Sequence, residues 1–241
     1  TGIRRLYHRA MSKVINTGIK RTHLDAEKAI ARIQAGIPDA RILIVGCGDS
    51  TYDGAARFVY TDVAFSRNAE CVCDASDLPF DDGYFDAVVM VAVLEHVADP
   101  TRCADEAWRV LKPSGYIYAA TPFLQPVHMG AYDFTRFTLI GHRRLFRKFD
   151  QSEIGTAIGP GQVLAWSVQY FFLSLSDRTV YRKVIRATGL LLTFPLKYLD
   201  LLTRGKSGAI DMAGGVFFFG TRRETAVPDR QIVAEYLRGR K

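Results

Sequence analysis

Residues 41–50 of this chain read Arg-Ile-Leu-Ile-Val-Gly-Cys-Gly-Asp-Ser, a short apolar run followed by two closely spaced glycines. A continuous apolar run that stops at a glycine is typical of a strand buried in a parallel sheet. Glycines directly after such a strand let the backbone approach a ligand and present its N–H groups, because no Cβ intervenes. The stretch therefore predicts a buried first strand over 41–45, followed by a ligand-binding turn at Gly46 and Gly48.

This turn does not complete the fingerprint of a dinucleotide-binding unit. That fingerprint requires a third glycine three residues after Gly48, and position 51 is a threonine. The next apolar run already begins at Phe58, so the first crossover helix must be short or absent. An NAD-linked enzyme is therefore disfavoured and is kept only as a rival.

Six further segments have the composition of strands. They are residues 58–62, 70–73, 86–92, 116–120, 153–158 and 215–220. Helices are predicted over 3–36 (with a break at 16–18), 100–111, 138–148, 162–203 and 229–237, and a turn over 112–115. Strands that alternate with crossovers indicate a parallel sheet that binds ligands at its strand ends.

The predicted fold is α/β: a Rossmann-like, doubly wound, mostly parallel seven-stranded sheet with a helical insertion before the last strand. We expect residues 1–36 to form an N-terminal helical extension and residues 37–241 the main domain. Within that domain, residues 122–211 are expected to form a substrate-side loop and a helical cover.

Composition and charge narrow the function classes. A chain of 241 residues with 48% hydrophobic residues can bury a core without disulfides or metals, and intrinsic disorder is excluded. The net charge is +6 over residues 1–36, −8 over 41–100 and +10 over 136–241. This pattern is not a continuous nucleic-acid-binding stripe. It fits a cationic ligand in the middle and an anionic partner at the ends, although the basic residues could also form a solvated face.

The four cysteines lack the pattern of a secreted disulfide framework. Cys71 and Cys73 point to one side of a predicted strand, but no Cys or His partner stands at a zinc-like spacing. We therefore predict buried thiols, no metal site and a reducing, cytoplasmic compartment. No signal-peptide pattern and no apolar run of membrane-spanning length occurs in the sequence. Because the sequence opens on Thr1, we expect the native start to be missing.

Acidic residues stand at the ends of the predicted strands. Asp62 ends the second strand, where a carboxylate can accept both hydroxyls of a ribose. Asp74 and Asp77 follow the third strand, and Asp86 opens the fourth, which leads into Val93-Leu-Glu-His-Val97. Each acid could instead be a capping or turn residue, but four such elements in this order rarely arise by chance.

In these segments the chain resembles the class I S-adenosylmethionine-dependent methyltransferases, particularly the type-11 methyltransferase domain family. The resemblance covers residues 40–122 and rests on segments 42–48, 60–62, 73–80, 85–86, 93–97 and 106–115. The chain departs from the family at Ser50, where many relatives have a third glycine. The resemblance implies a transferase of biosynthesis that uses S-adenosyl-L-methionine as its cofactor.

The resemblance also implies cofactor contacts for particular residues. They are Gly46 and Gly48 at the methionine part, Asp62 at the ribose, Asp74 and Ala75 at the adenine, and Leu94 at the methyl end, with Cys47 as a further cofactor-binding residue. Glu95 and His96 would also lie at the methyl end. The cofactor's sulfonium charge suits the acidic segment. Because methyl transfer is an in-line displacement, the protein would mainly align the reactants and remove the proton of a neutral nucleophile.

Two histidines are candidate catalytic bases. His128 lies on the loop after the fifth predicted strand, where a subset of these methyltransferases has a similar string. Its imidazole would titrate near neutral pH, although a loop histidine is often only a hydrogen-bonded lid residue. His96 is the competing candidate.

The same loop supplies candidate substrate contacts at Tyr132, Asp133 and Arg136. Asp133 and Arg136 could bind a polar substrate, or could pair with each other and order the loop; the ordering role is slightly favoured. Tyr132 could equally be part of the packing of a lid.

The apolar segment 162–203 carries basic interruptions and has three possible roles. It could be an intramolecular cover over the active site, a homodimer face, or a peripheral membrane contact with basic flanks. The first is favoured over the other two.

The sequence therefore predicts methyl transfer to a small-molecule, sugar or lipid-linked acceptor, at oxygen, with no nucleic-acid partner. The alternative is a non-catalytic module that kept the fold and binds an adenosyl ligand or a protein.

Overall fold

The computed structural model describes residues 24–239, apart from the side chain of Leu190. The predicted N-terminal extension lies outside these residues up to position 23. Its last part is helix α1, Ala26–Gly36, which Asp25 caps by accepting the Lys28 N–H.

Seven strands and seven helices follow one another along the described chain. In chain order they are α1 (Ala26–Gly36), β1 (Arg41–Val45), β2 (Arg57–Asp62), β3 (Cys71–Val72), β4 (Phe85–Val91), α2 (Pro100–Val110), β5 (Leu111–Pro122), α3 (Leu139–Leu145), β6 (Phe149–Ile158), α4 (Pro160–Leu173), α5 (Thr179–Thr193), α6 (Asp200–Thr203), β7 (Gly215–Arg222) and α7 (Asp229–Gly239). Short 3₁₀ turns occupy Gly130–Tyr132, Phe194–Leu199 and Ser207–Ile210.

The strands form one sheet in the order β3-β2-β1-β4-β5-β7-β6. The pairings among β1 to β5 are parallel, and β7 runs antiparallel to β5. The predicted Rossmann-like, mostly parallel sheet of seven strands with a helical insertion before the last strand is thus confirmed. The strand order reverses beside β1, because β2 and β4 flank it on opposite sides. Ligands bind at such switch points in open α/β sheets.

The connections between the first four strands contain no helix in the described structure. The short spacing between Gly48 and Phe58 predicts that the helix between β1 and β2 is short or absent. The carboxyl ends of β1, β2 and β3 therefore continue directly into loops. Those loops are free to line a ligand site.

The main differences from the predicted elements lie at β5 and α3. The predicted turn over 112–115 is contained within β5, where the pairing partner of Phe85 is Leu111 and that of Ala87 is Tyr116. The extra residues form a bulge that includes Ser114 at φ +61°. Helix α3 is shorter than predicted, and the backbone after it becomes β6 at Phe149.

The sheet has an apolar core of branched aliphatic and aromatic side chains. Val88 and Met90 of β4, Ile117 of β5 and Phe218 of β7 are almost completely buried in it. The amphipathic helix α2 packs into the same core through Cys103, Ala104, Ala107 and Val110. Removing such surface from water is the main favourable term in folding. The sheet is thus a rigid base for the loops at its edge.

The chain divides into two units. Among the described residues, one comprises 24–123, 127–155 and 215–239, and contains most of the sheet. The other comprises 124–126 and 156–214, with helices α4, α5 and α6. Within this helical unit Asp200 caps α4, since its Oδ1 accepts the Gly161 N–H at 2.6 Å. No helix among residues 24–239 is both long enough and apolar enough to cross a membrane.

Candidate functional site

A cavity of about 560 Å³ opens at the carboxyl ends of β1 to β4, within the sheet-containing unit. All lining residues come from the carboxyl ends of these strands, from the loops that follow them or from the loop after β5. They are residues 45–46, 48, 61–63, 73–76, 92–93, 96–99 and 128–129. The volume lies within the range of small-molecule and cofactor sites.

The glycine turn after β1 forms one wall of the cavity. Gly46 has φ +63°, and a Cβ at this position would lie 2.5 Å from Cγ2 of Val93. Gly48 has φ +52°, with open space where its Cβ would be. Both positions thus need the left-handed conformation that glycine adopts most easily. Only Gly46 is also constrained by close packing.

Asp62 connects the end of β2 to this turn. Its Oδ2 accepts the Gly48 N–H at 2.8 Å, and its Oδ1 accepts the Ala64 N–H at 3.1 Å. A carboxylate oxygen can accept more than one hydrogen bond. Asp62 can therefore hold the turn and still accept hydroxyl groups from a ligand.

Asp74 stands in the loop after β3, beside the buried Ala75. Its Oδ1 accepts both the backbone N–H and the hydroxyl of Ser76, each at 2.8 Å. These hydrogen bonds lower the pKa of Asp74, led by the backbone one. Asp62, Asp74 and Asp99 all line the cavity. A cationic ligand therefore suits the site.

Two sequence-predicted cofactor residues have side chains in the packed interior. Leu94 is completely buried in the apolar core. The thiol of Cys47 lies 3.6 Å from the Ser66 hydroxyl, and burial raises its pKa. Neither residue belongs to the described lining of the cavity. Their roles at the cofactor stay predictions.

The two predicted base candidates come together around a buried carboxylate. The rings of His96 and His128 are 4.8 Å apart between centroids, nearly perpendicular to each other, and both line the cavity. Oε1 of Glu95 lies 3.6 Å from Nε2 of His96 and 3.7 Å from Nε2 of His128. The Glu95 side chain is inaccessible to solvent, and this burial raises its pKa to about 6.

The predicted substrate residues order the loop that carries His128. Arg136 forms a bidentate ion pair with Asp133, whose side chain is solvent-inaccessible. The Arg136 guanidinium lowers the pKa of Asp133 to about 2. Asp133 Oδ2 also accepts the His128 backbone N–H at 2.8 Å. This is the loop-ordering arrangement of the pair, and their contact with substrate stays a prediction.

The loop is also fixed to the segment after β4. Phe134 and Thr135 donate their backbone N–H groups to the Glu95 carbonyl, at 2.8 and 3.3 Å. The Tyr132 carbonyl lies 2.7 Å from Nδ1 of His96. The Tyr132 side chain is two-thirds exposed. Its backbone is thus part of the site, whereas its side chain points largely to solvent.

Sequence reasoning missed several residues of the site. Val63 follows Asp62 in the lining and is 74% exposed, so hydrophobic patterning gives no signal for it. Ala92 adopts φ +55° at the end of β4, and only a structure reveals such backbone strain at a non-glycine residue. Glu95 is placed by resemblance at the methyl end, but its contacts with both histidines depend on a loop 33 residues later in the chain, counted from Glu95 to His128.

Part of the chain that lines this cavity is similar to known proteins. The family model described as a methyltransferase domain matches residues 44–119. A demethylmenaquinone methyltransferase of Clavibacter sepedonicus is 54% identical over 44 residues, which are 18% of either chain. The chain thus aligns with less than a fifth of that relative's length.

Solved structures share the fold at low identity. Phosphoethanolamine N-methyltransferase 2 of Haemonchus contortus, in complex with S-adenosyl-L-methionine, is 14% identical with a TM-score of 0.52. That alignment covers 89% of this chain and 56% of the other. The 1,6-didemethyltoxoflavin-N1-methyltransferase of Burkholderia thailandensis is 13% identical with a TM-score of 0.50. Its alignment covers 91% of this chain and 88% of the other. At these identities the likeness concerns the fold.

Proposed function

We propose that this chain is a class I S-adenosylmethionine-dependent methyltransferase and that it transfers a methyl group from S-adenosyl-L-methionine to an acceptor oxygen. The acceptor is a small molecule, a sugar or a lipid-linked glycan. One observation carries the proposal: the glycine turn, Asp62 and two histidines line a single cavity.

The cofactor would occupy the acidic part of this cavity. Gly46 and Gly48 leave room for the methionine part, and Asp62 accepts the ribose hydroxyls. Both hydrogen bonds from Ser76 end on Oδ1 of Asp74, so its Oδ2 is available to the adenine amino group. Carboxylates around the site favour the positive sulfonium over the neutral S-adenosylhomocysteine that remains after transfer.

The chemical step forms a bond between the acceptor oxygen and the methyl carbon and breaks the bond from sulfur to that carbon. The hydroxyl proton must leave the oxygen as the bond forms. Glu95 and His96 stand at the sequence-predicted methyl end, and His128 lies beside both of them. His128 is the predicted base and His96 its competitor.

Two measurements test this proposal. Calorimetry with S-adenosylhomocysteine should give binding of one ligand per chain, and transfer from methyl-labelled cofactor should label an acceptor in a panel of sugars, phenols and lipid-linked glycans. An absence of binding at millimolar ligand would favour the non-catalytic module. Tight binding of NADH instead would support an NAD-linked enzyme.

The helical unit has a surface that suits an anionic membrane. Exposed apolar side chains on α5 and α6 include Val180, Val184, Leu191 and Leu202. Basic residues interrupt the same segment at Arg178, Arg182, Lys183 and Arg186. We propose a peripheral contact of 162–203 with anionic lipid.

Sedimentation with vesicles tests the membrane contact. Binding to vesicles that contain anionic lipid, but not to zwitterionic vesicles, is expected. Concentration-dependent dimers in lipid-free solution, together with no vesicle binding, would favour the homodimer face.

We propose a cytoplasmic location because the four cysteines are free, which suits a reducing compartment.

A further inference from the structure

Three side chains converge on one point of the cavity wall. One ligating atom from each of Glu95, His96 and His128 lies within 4.8 Å of the other two. Glu95 is completely buried, and the histidine side chains are 20% and 32% exposed. The cluster is thus closed on the protein side and open towards the cavity that both histidines line.

The buried carboxylate has no hydrogen-bond donor in the described structure. Neither Oε1 nor Oε2 of Glu95 makes a hydrogen bond there. Its contacts to Nε2 of His96 and His128, at 3.6 and 3.7 Å, are longer than hydrogen bonds. Burying an ionised carboxylate without compensation costs several kcal/mol. A positive group between these atoms would stabilise the ionised carboxylate further than the nearby charge of Arg136 does.

The second ring nitrogen of each histidine faces an acceptor. Nδ1 of His96 lies 2.7 Å from the Tyr132 carbonyl oxygen, which can only accept, so this nitrogen carries the proton. Nδ1 of His128 faces Oδ2 of Asp133 at 3.5 Å. In His96, Nε2 is then the nitrogen with a lone pair, and it lies 3.6 Å from Oε1 of Glu95. Metal-binding histidines commonly donate the other ring N–H to a carbonyl or a carboxylate, as His96 does here.

The two spacings from Glu95 to the histidines fit an ion. Two ligands at 2.0–2.1 Å from a tetrahedral Zn²⁺ are about 3.4 Å apart. The distances from Glu95 Oε1 to the two Nε2 atoms exceed this by only a few tenths of an ångström. Two imidazoles and one carboxylate are a donor set that suits Zn²⁺, Fe²⁺ and related divalent ions.

We propose that Glu95, His96 and His128 bind a divalent transition-metal ion in the cavity wall. The sequence predicts no metal site because no Cys or His stands at a zinc-like spacing from Cys71 and Cys73, and His128 is far from the Glu95-His96 pair along the chain. Three protein ligands leave at least one coordination position open to the cavity. If the proposed methyl transfer holds, an acceptor oxygen bound there would lose its proton more easily, because a divalent cation stabilises the oxyanion. The histidines would then be ligands rather than bases.

Metal binding can be measured without cofactor or acceptor. The full chain is treated with chelator, dialysed and titrated with Co²⁺, whose visible absorption reports its coordination, and then with Zn²⁺ in competition. We expect one ion per chain. Glu95→Gln and His128→Gln should each weaken binding by more than the roughly 10–100-fold that follows loss of a second-shell partner. Asp133→Asn keeps all three ligands and alters the carboxylate that faces His128 and pairs with Arg136, so its effect should lie within that range.

Matched variants control for other ligands in the chain. Cys71→Ser/Cys73→Ser removes the paired thiols, and His142→Leu removes a fully buried histidine outside the cluster. Both should bind Co²⁺ as the wild type does. Circular dichroism and thermal unfolding confirm that each variant is folded.

The outcomes separate the metal site from the methyl-transfer proposal. One bound ion that is lost in Glu95→Gln and His128→Gln supports the site even if no acceptor is ever methylated. No binding by the wild type, or binding that survives both substitutions, overturns it even if the protein is an active methyltransferase. Binding that is lost only in the cysteine variant overturns it too and assigns the ion to the thiols.

Discussion

Oδ2 of Asp62 accepts the backbone N–H of Gly48 at 2.8 Å. This hydrogen bond joins the end of β2 to the turn after β1, so the predicted ribose acceptor also holds the predicted methionine loop. The two parts of the cofactor site are therefore not independent. A change at Asp62 should affect both.

We predict that Asp62→Ala weakens binding of S-adenosylhomocysteine by about ten- to hundredfold. Loss of a hydrogen bond to a charged acceptor costs roughly 1.5–3 kcal/mol. Isothermal titration calorimetry measures the affinity. Asp81→Ala removes an exposed carboxylate outside the described lining and should leave the affinity unchanged. A folded Asp62→Ala protein with wild-type affinity would mean that the ribose binds elsewhere.

A second prediction concerns the two glycines of the turn, which differ in their surroundings. Gly46→Ala would place a methyl group 2.5 Å from Cγ2 of Val93, in addition to the left-handed backbone. In Gly48→Ala only the left-handed backbone conformation is unfavourable, by about 1–2 kcal/mol, because nothing lies within 4 Å of the added carbon. Gly46→Ala should therefore destabilise the protein more than Gly48→Ala, as measured by urea unfolding.

Val93→Ala provides the control for this packing argument. Combined with Gly46→Ala it should recover part of the lost stability, with a coupling energy of about 0.5–3 kcal/mol as for residues in contact. Combined with Gly48→Ala it should show additive effects. Additivity in both pairs would contradict the close approach of Gly46 to Val93.

The sheet could be predicted from the sequence because each strand has a local signal. The apolar run over 41–45 ends at a glycine, and the fourth and fifth strands are similar runs with turn residues beside them. The boundaries of β5 could not be predicted. Lys112-Pro-Ser-Gly115 has the composition of a turn, but the pairing of Leu111 with Phe85 keeps these residues in the strand as a bulge.

The candidate site could be predicted only in part. Gly46, Gly48, Asp62 and Asp74 follow their strands directly, so sheet geometry alone brings them to one edge. The meeting of His128 with Glu95 depends on the path of the loop after β5. That path is fixed by backbone hydrogen bonds from residues 134 and 135 to the Glu95 carbonyl, which leave no pattern in the sequence.

A third prediction concerns the ion pair that orders this loop. Arg136→Met leaves the solvent-inaccessible carboxylate of Asp133 without its partner. Breaking such a buried pair costs about 3–5 kcal/mol, and the midpoint of urea unfolding should fall accordingly. The double variant Asp133→Asn/Arg136→Met should be less destabilised than the sum of the two single variants.

Arg144→Met serves as the matched control for Arg136→Met. Arg144 pairs with Asp229, and both side chains are more than half exposed. An exposed pair contributes about 0–1 kcal/mol, so little stability should be lost. Equal losses in Arg136→Met and Arg144→Met would contradict the importance of burial at Asp133.

The last prediction concerns His142, which lies fully buried between Phe137 and Phe146. Neither ring nitrogen makes a hydrogen bond within residues 24–239, and burial lowers the pKa of His142 to about 3. The unfolded chain has an ordinary histidine pKa of about 6.5. Between these values the unfolded state binds a proton that the folded state does not. Protonation of the unfolded state therefore lowers the free energy of unfolding as the pH drops below about 6.5, and has little effect on it above that pH.

His142→Leu should remove both the unpaired polar atoms and this proton uptake. We expect it to raise the free energy of unfolding at pH 7 by about 1–3 kcal/mol, because a buried polar group without a partner costs that much. Below pH 6 the gain should grow, because only the wild type loses stability through this histidine. Urea unfolding of both proteins between pH 5 and pH 8 gives the two curves. A constant difference across that range would mean that His142 has the same pKa in the folded and the unfolded protein, which would contradict its shielding from protons in the folded state.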